Sequence, residues 1–208
     1  MVAHRKSMIA GEGWPWLIIV AIGGLLIGWY WEPIWASPAA VLYILLFLLF
    51  RDPMRSIPPM PLAVVAPVDG WIVDIATDVS GILQGEWTRV SIKTNHFGAY
   101  TVRSPIEGAI LNVVEQVAPT DLNESPRGLW VRSEEQDNVV LLFPRLGRRR
   151  GPKTFVRYGE RVGQGQRFAY LRLAPCAEVY LPVSAVVRVQ EHAYVHAGTS
   201  VLADLAPK

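Results

Sequence analysis

Residues 14–50 read WPWLIIVAIGGLLIGWYWEPIWASPAAVLYILLFLLF, and this stretch decides the architecture. Its thirty-seven residues carry one charge, Glu32, and form too long an apolar run for one crossing of a bilayer, which takes ~20 helical residues. The run divides at Trp31-Glu32-Pro33 into residues 14–31 and 33–50, so a transmembrane helical hairpin is expected. Trp14, Trp16, Trp29, Tyr30, Trp31 and Trp35 mark its ends with rings that favour the water interface. Neither half shows the polar stripe of a helix packed on a soluble core. Ser37 and Pro38 can shorten the second helix, which leaves open a hairpin that dips into one leaflet. Gly23, Gly24 and Gly28 give the first helix a smooth face where another helix can approach closely.

Flanking charge sets the expected orientation. His4, Arg5 and Lys6 precede the hairpin, Arg51 and Arg55 follow it, and the turn offers only Glu32. The positive-inside rule puts both termini and everything beyond residue 50 on the cytoplasmic side. Ala36-Ser37-Pro38 is a poor signal-peptide cleavage site and lies inside the apolar run.

The chain of 208 residues, 51% hydrophobic and 18% charged with eight Trp, has room for one ordinary domain beside the hairpin and does not read as disordered. A single Cys, Cys176, excludes an internal disulfide and any multi-cysteine metal site. A net charge of +2 gives no field for nucleic acid. The expected organisation is a tail (1–13), the hairpin (14–50), a Pro-rich connector (51–63) and a β-domain (64–208). Within the last, short β-prone runs at 71–76, 87–93, 109–117, 129–133, 139–143, 154–158, 167–173, 178–181, 186–190 and 200–205 lie between Gly, Pro or Asn. They predict a mainly β fold, a sandwich or partly open barrel without a long amphipathic helix. Glycines at 159, 163, 165 and 198 punctuate two segments much as in biotinyl and lipoyl carrier domains, but Lys93, Lys153 and Lys208 lack the surroundings of a modified lysine.

Several motifs in register resemble the short bacterial form of phosphatidylserine decarboxylase. They are Gly13-Trp14-Pro15, the apolar hairpin, Phe50-Arg51-Asp52-Pro53-Met54-Arg55, Ala66-Pro67-Val68-Asp69-Gly70, Arg103-Ser104-Pro105-Ile106-Glu107-Gly108, and the run from Arg167-Phe168 to Tyr180-Leu181-Pro182. The resemblance covers nearly the whole chain. It implies a β-domain of that family's type on a bacterial inner membrane. It also implies a self-made cofactor: the serine of a Gly-Ser pair attacks the preceding carbonyl, the chain breaks, and a pyruvoyl group remains to form a Schiff base with the substrate amine.

The residues that this chemistry needs are missing. Where the family reads Arg-Phe-Gly-Ser-Arg-Val-Asp-Val-Tyr-Leu-Pro, this chain reads Arg172-Leu173-Ala174-Pro175-Cys176-Ala177-Glu178-Val179-Tyr180-Leu181-Pro182. Pro175 has neither a hydroxyl to attack with nor an amide hydrogen. Where the family has Phe-Asp-Val-His, this chain has Phe97-Gly98-Ala99-Tyr100, and a tyrosine with a reference pKa near 10 is a poor base. Asp69 keeps the family's position, as a relic or as an ordinary Asp-Gly turn. Cys176 is the one rescue candidate, because a thiol can attack the Pro175 carbonyl; it sits one position late, where an extended strand turns it to the opposite face.

Other features are weaker. His192 and His196 would lie ~13 Å apart on a strand, too far for one metal ion, and His96 has no carboxylate nearby in sequence, so no metal is expected. Between Phe143 and Arg172 stand Arg145, Arg148, Arg149, Arg150, Lys153, Arg157, Arg161, Arg167 and Arg172 against one acid, Glu160. Such a strip suits anionic headgroups or an acidic partner, with a solvated hairpin tip as the plain alternative. The expectation is therefore a non-catalytic, cofactor-free relative that serves a membrane complex as a structural or interaction subunit. It would bind anionic lipid and other membrane subunits but no nucleic acid. An active decarboxylase with its precursor at Cys176 is the alternative.

Overall fold

The large apolar side chains fall into two main groups, one packed into a β core and one exposed along two helices. The computed structural model describes residues 8–31, 33–79, 85–111, 127–144 and 152–206. They form two compact units: Met1–Met54 with His96–Tyr100, and Arg55–Asn95 with Thr101–Lys208.

The first unit holds α1 (Trp14–Tyr30) and α2 (Ser37–Leu49). A 3-10 turn, Gly11–Gly13, leads into α1, and Pro15 in its first turn gives up an amide hydrogen that a helix start leaves unpaired anyway. After α1 a second 3-10 turn, Pro33–Ala36, intervenes, and the Ser37 hydroxyl donates to the Ile34 carbonyl at 2.7 Å. Pro38 sets the start of α2, so this helix is shorter than the 33–50 span expected from sequence. Among the described residues one helix, Gly11–Tyr30, is long and apolar enough to cross a membrane; the second apolar run, Ile34–Leu49, falls short of that length. Two bonds close the hairpin's open end: Ala10 N–H to the Phe50 carbonyl (2.9 Å) and Asp52 N–H to the Met8 carbonyl (2.8 Å). Only Leu17 of α1 is buried, and nothing in α2, so the apolar side chains face outward.

Among the described residues of the second unit all the regular elements are strands. Its strands are β1 (Ala63–Val65), β2 (Gly70–Val79), β3 (Trp87–Thr94), β4 (Thr101–Arg103), β5 (Gly108–Leu111), β6 (Arg127–Arg132), β7 (Asn138–Phe143), β8 (Lys153–Thr154), β9 (Arg161–Val162), β10 (Arg167–Tyr170), β11 (Cys176–Pro182), β12 (Val186–Val187), β13 (Tyr194–Val195) and β14 (Val201–Asp204). They make an eight-stranded sheet, β13-β2-β3-β11-β7-β6-β5-β9, and two three-stranded sheets, β1-β14-β12 and β4-β10-β8, with every pairing antiparallel. All three share one core that includes Val64, Ile72, Ile92, Val102, Phe168 and Leu202.

Alternation decides which side chains enter that core. In β3, Val90 and Ile92 point inward with Thr94; in β11, Ala177, Val179 and Leu181 do. In β7 the run Val139 to Phe143 is apolar at every position because both faces are covered. Val139, Leu141 and Phe143 join the main core, while Val140 and Leu142 meet Trp87, Trp130 and Tyr180 on the other face.

The expected strands at 154–158 and 186–190 reduce to Lys153–Thr154 and Val186–Val187. That expected at 109–117 is strand over Gly108–Leu111, and its remainder lies outside the described residues. Gly70 is required by packing: a Cβ there would stand 2.0 Å from the Lys93 carbonyl oxygen, which belongs to a paired strand and cannot swing aside. Gly70→Ala is therefore expected to cost about 2–3 kcal/mol of stability. At Gly163 a Cβ meets only the tip of Gln166 at 3.6 Å, and Gly163→Ala should change stability by less than about 0.5 kcal/mol. Urea denaturation of the detergent-solubilised chain compares the two; equal midpoints would contradict the packing.

Candidate functional site

Gly70 brings the end of β2 against the end of β3, and this places Asp69. The Asp69 carbonyl accepts the Asn95 amide at 2.7 Å, continuing the ladder in which Gly70 faces Thr94. The Asp69 carboxylate, 1% exposed, meets the two terminal guanidinium nitrogens of Arg55: Nη2 donates to Oδ2 at 2.6 Å and Nη1 to Oδ1. The Ala197 amide donates to Oδ1 at 2.7 Å. A buried carboxylate needs such a two-pronged cation, because its charge is costly without one. Asp69 is thus the counter-ion that pins the connector residue Arg55 and the 196–198 turn to the start of β2.

On the other side of β3 lies the segment that replaces Gly-Ser. The Thr94 hydroxyl donates to the Ala174 carbonyl, and the Thr94 amide donates to the Pro175 carbonyl at 2.9 Å. In an antiparallel ladder the reciprocal bond would run from residue 175 to the Thr94 carbonyl, and proline has no hydrogen for it. Asp69 opposite Asn95 and Pro175 opposite Thr94 flank the same strand end, about 10 Å apart across two strand spacings. A hydroxyl aimed at a carbonyl oxygen draws electrons from its carbon, so the Ala174 carbonyl is polarised where the family's scission would occur. Residue 175 supplies nothing to attack it. The residues present do not fit the formation of a pyruvoyl group.

Cys176 pairs with Lys93 and shares the outer face of β11 with Glu178, whose carboxylate accepts the Tyr180 hydroxyl at 2.8 Å. Partial burial, and then the Glu178 charge, push the Cys176 thiol above the ordinary cysteine range. Burial and Glu178 raise the Tyr180 phenol as well. Both effects favour the neutral thiol, which is the less nucleophilic form.

Tyr100 belongs to the helical unit. Its ring packs edge-on against Phe50 at 4.8 Å, its hydroxyl donates to Glu12 at 3.3 Å, and its amide donates to the Arg51 carbonyl at 3.0 Å. Gly24 turns toward α2, with a Cβ there 3.1 Å from that of Ala39; Gly28 faces Ala36, and Gly23 faces open space. Lys153 and Arg157 are exposed, and the Arg157 amide donates to Glu160 at 3.0 Å. Arg145, Arg148, Arg149 and Arg150 lie outside the described residues. His192 and His196 are exposed, His96 is half-buried, and among the described residues no group of three or more His, Cys, Asp or Glu is placed to hold a metal.

Two participants escaped the sequence reading. Arg55 reads in the sequence only as a charge flanking the hairpin, with no part in the site. Thr94 had a signal, a polar residue at an inward position of a strand whose other inward residues are Thr88, Val90 and Ile92.

No family model matches the chain. Phosphatidylserine decarboxylase proenzyme of Burkholderia vietnamiensis is 32% identical over 97% of this chain and 98% of its own length. The proteins of the same name from Burkholderia ambifaria and Burkholderia cenocepacia are 31% and 32% identical over the same shares. Among solved structures, glucose permease IIA from Mycoplasma capricolum superposes with a TM-score of 0.45 at 15% identity, over 68% of this chain and 94% of that one.

Two outcomes follow from the geometry. Alkylation of Cys176, the chain's only thiol, should rise with pH through a midpoint above that of free cysteine, as followed with iodoacetamide and mass spectrometry; a midpoint at or below it would contradict the microenvironment. Asp69→Leu should cost about 3 kcal/mol, because it strands Arg55 and the Ala197 amide, while the double change Asp69→Leu with Arg55→Met should cost much less than the sum of Asp69→Leu and Arg55→Met. Chemical denaturation measures the cycle, and strict additivity would refute the pairing.

Proposed function

Because the chain belongs to the phosphatidylserine decarboxylase family yet carries Ala174-Pro175 where self-cleavage needs Gly-Ser, we propose that it is a non-catalytic member that acts by binding. The single observation that carries this reading is proline at position 175. A polarised carbonyl without an adjacent hydroxyl cannot undergo the acyl shift, and without that shift there is no electron sink for decarboxylation. Tyr100 in place of the family's histidine, and a Cys176 thiol held neutral by its surroundings, support the same reading.

In this proposal residues 14–50 sit in a bacterial inner membrane as a helical hairpin, and the connector 51–63 holds the β-domain 64–208 at the cytoplasmic surface. The flanking basic residues support that orientation. The outward apolar surface of α1 and α2 supports membrane burial, and the open face at Gly23 suits a helix of another subunit. Arg145, Arg148, Arg149, Arg150, Lys153 and Arg157 would meet anionic headgroups or an acidic neighbour. The role is that of a structural or interaction subunit of a membrane complex.

The purified chain, given phosphatidylserine in mixed micelles, should release no carbon dioxide above a protein-free control. Extracted in a mild detergent, it should migrate with stable partners well above its own 23.1 kDa. Turnover of phosphatidylserine would defeat the non-catalytic assignment, and migration as a lone monomer would defeat the subunit role.

A further inference from the structure

The outer face of the eight-stranded sheet carries an aromatic corner that neither the ion pair nor the Ala174-Pro175 segment uses. Trp71 and Tyr194 face each other directly across β2 and β13, with ring centroids 4.8 Å apart at 74°. Tyr194 in turn meets His196 at 4.9 Å, and its hydroxyl accepts the Asn95 amide side chain at 3.1 Å. Trp71 is 45% exposed, Tyr194 36%, and Val73, two positions along the same strand, 51%. Lys93 stands beside Trp71 in the β3 register and is exposed. The corner is pinned from below: Ile72 N–H donates to the Ala193 carbonyl at 2.9 Å, and His192 N–H to the Ile72 carbonyl at 2.8 Å. Large rings are held here, half in solvent, on a rigid backbone.

We propose that Trp71, Val73 and Tyr194 rest in the headgroup layer of the bilayer that holds the apolar helices. The inference rests on the membrane reading above. Two things select a bilayer as the occupant. The first is chemistry, since rings with an apolar body and a polar edge partition to the lipid–water boundary, where a neighbouring lysine keeps its ammonium in water. The second is chain length. Trp71 lies two residues after Asp69, which is bonded to Arg55, and only five residues run from Phe50 at the end of α2 to Arg55. Fully extended, five residues reach about 18 Å, a leash too short for the corner to leave the vicinity of a membrane holding α2. The contact is made by apolar surface rather than net charge, so salt should not release it.

The test uses the full chain in phosphatidylcholine vesicles containing one-third phosphatidylglycerol. Cys176→Ser removes the only thiol, and a single cysteine at Val73, Leu25 or Glu134 carries an environment-sensitive fluorophore. Glu134 is exposed in the turn between β6 and β7, at the far end of the sheet from Lys93 and Cys176. Headgroup-nitroxide lipid should quench the Val73 label at least threefold more than the Glu134 label, equally at about 0.1 M and about 1 M salt, between which the screening length falls from about 10 to about 3 Å. Replacing Trp71 and Tyr194 by Ser should bring the Val73 quenching down toward that of Glu134. Equal quenching at Val73 and Glu134, with the Leu25 label still quenched by a deep acyl-chain nitroxide, would overturn the docking alone. Release of the Val73 contact by salt would overturn it in favour of a charge-held surface. A Leu25 label untouched by the deep quencher would remove the membrane reading and the docking with it.

Discussion

A carboxylate buried to 1% exposure must be matched by a positive charge, and the fold satisfies that demand at Asp69 with Arg55. The pair does more than neutralise. Arg55 is the first residue of the β unit after the connector's start, Asp69 opens β2, and Ala197 lies in the turn between β13 and β14. One carboxylate therefore gathers three distant segments. Gly70 makes this possible, since any side chain there would collide with the backbone of β3 and push Asp69 away from its partners.

On the opposite side of β3 the requirements are relaxed. Thr94 keeps a hydroxyl on the Ala174 carbonyl, and the sheet holds Pro175 through its carbonyl alone. The site thus retains an electrophile without a nucleophile. In the reading proposed above, where the family's cofactor comes from its own backbone, loss of that one hydroxyl would remove both the cofactor and the reaction. What persists is the scaffold: a three-sheet core, an ion pair that fastens the connector, and apolar helices with little buried surface of their own.

Much of this was legible in the sequence because the patterns are coarse and physical. The apolar run of 14–50 announces its helices, and the alternation in β3 and β11 announces strands covered on one face. The strands Ala63–Val65, Thr101–Arg103, Arg161–Val162 and Tyr194–Val195 were not foreseen, because segments of two or three residues are defined by their partners rather than by their own periodicity. The same limit applies at the site. Asp69 read as a turn or a relic, since its partner lies fourteen residues earlier and only the fold brings the two together. Pro175 was different: its meaning is intrinsic to the residue, because no surrounding structure can give proline a hydroxyl or an amide hydrogen.

A non-catalytic chain must keep its backbone whole at Ala174-Pro175-Cys176. Intact-mass spectrometry of the chain purified from membranes reads this directly. One species at the mass of the uncleaved 208-residue chain is the expected result. Two fragments, the smaller beginning in a pyruvoyl group at position 176, would contradict it.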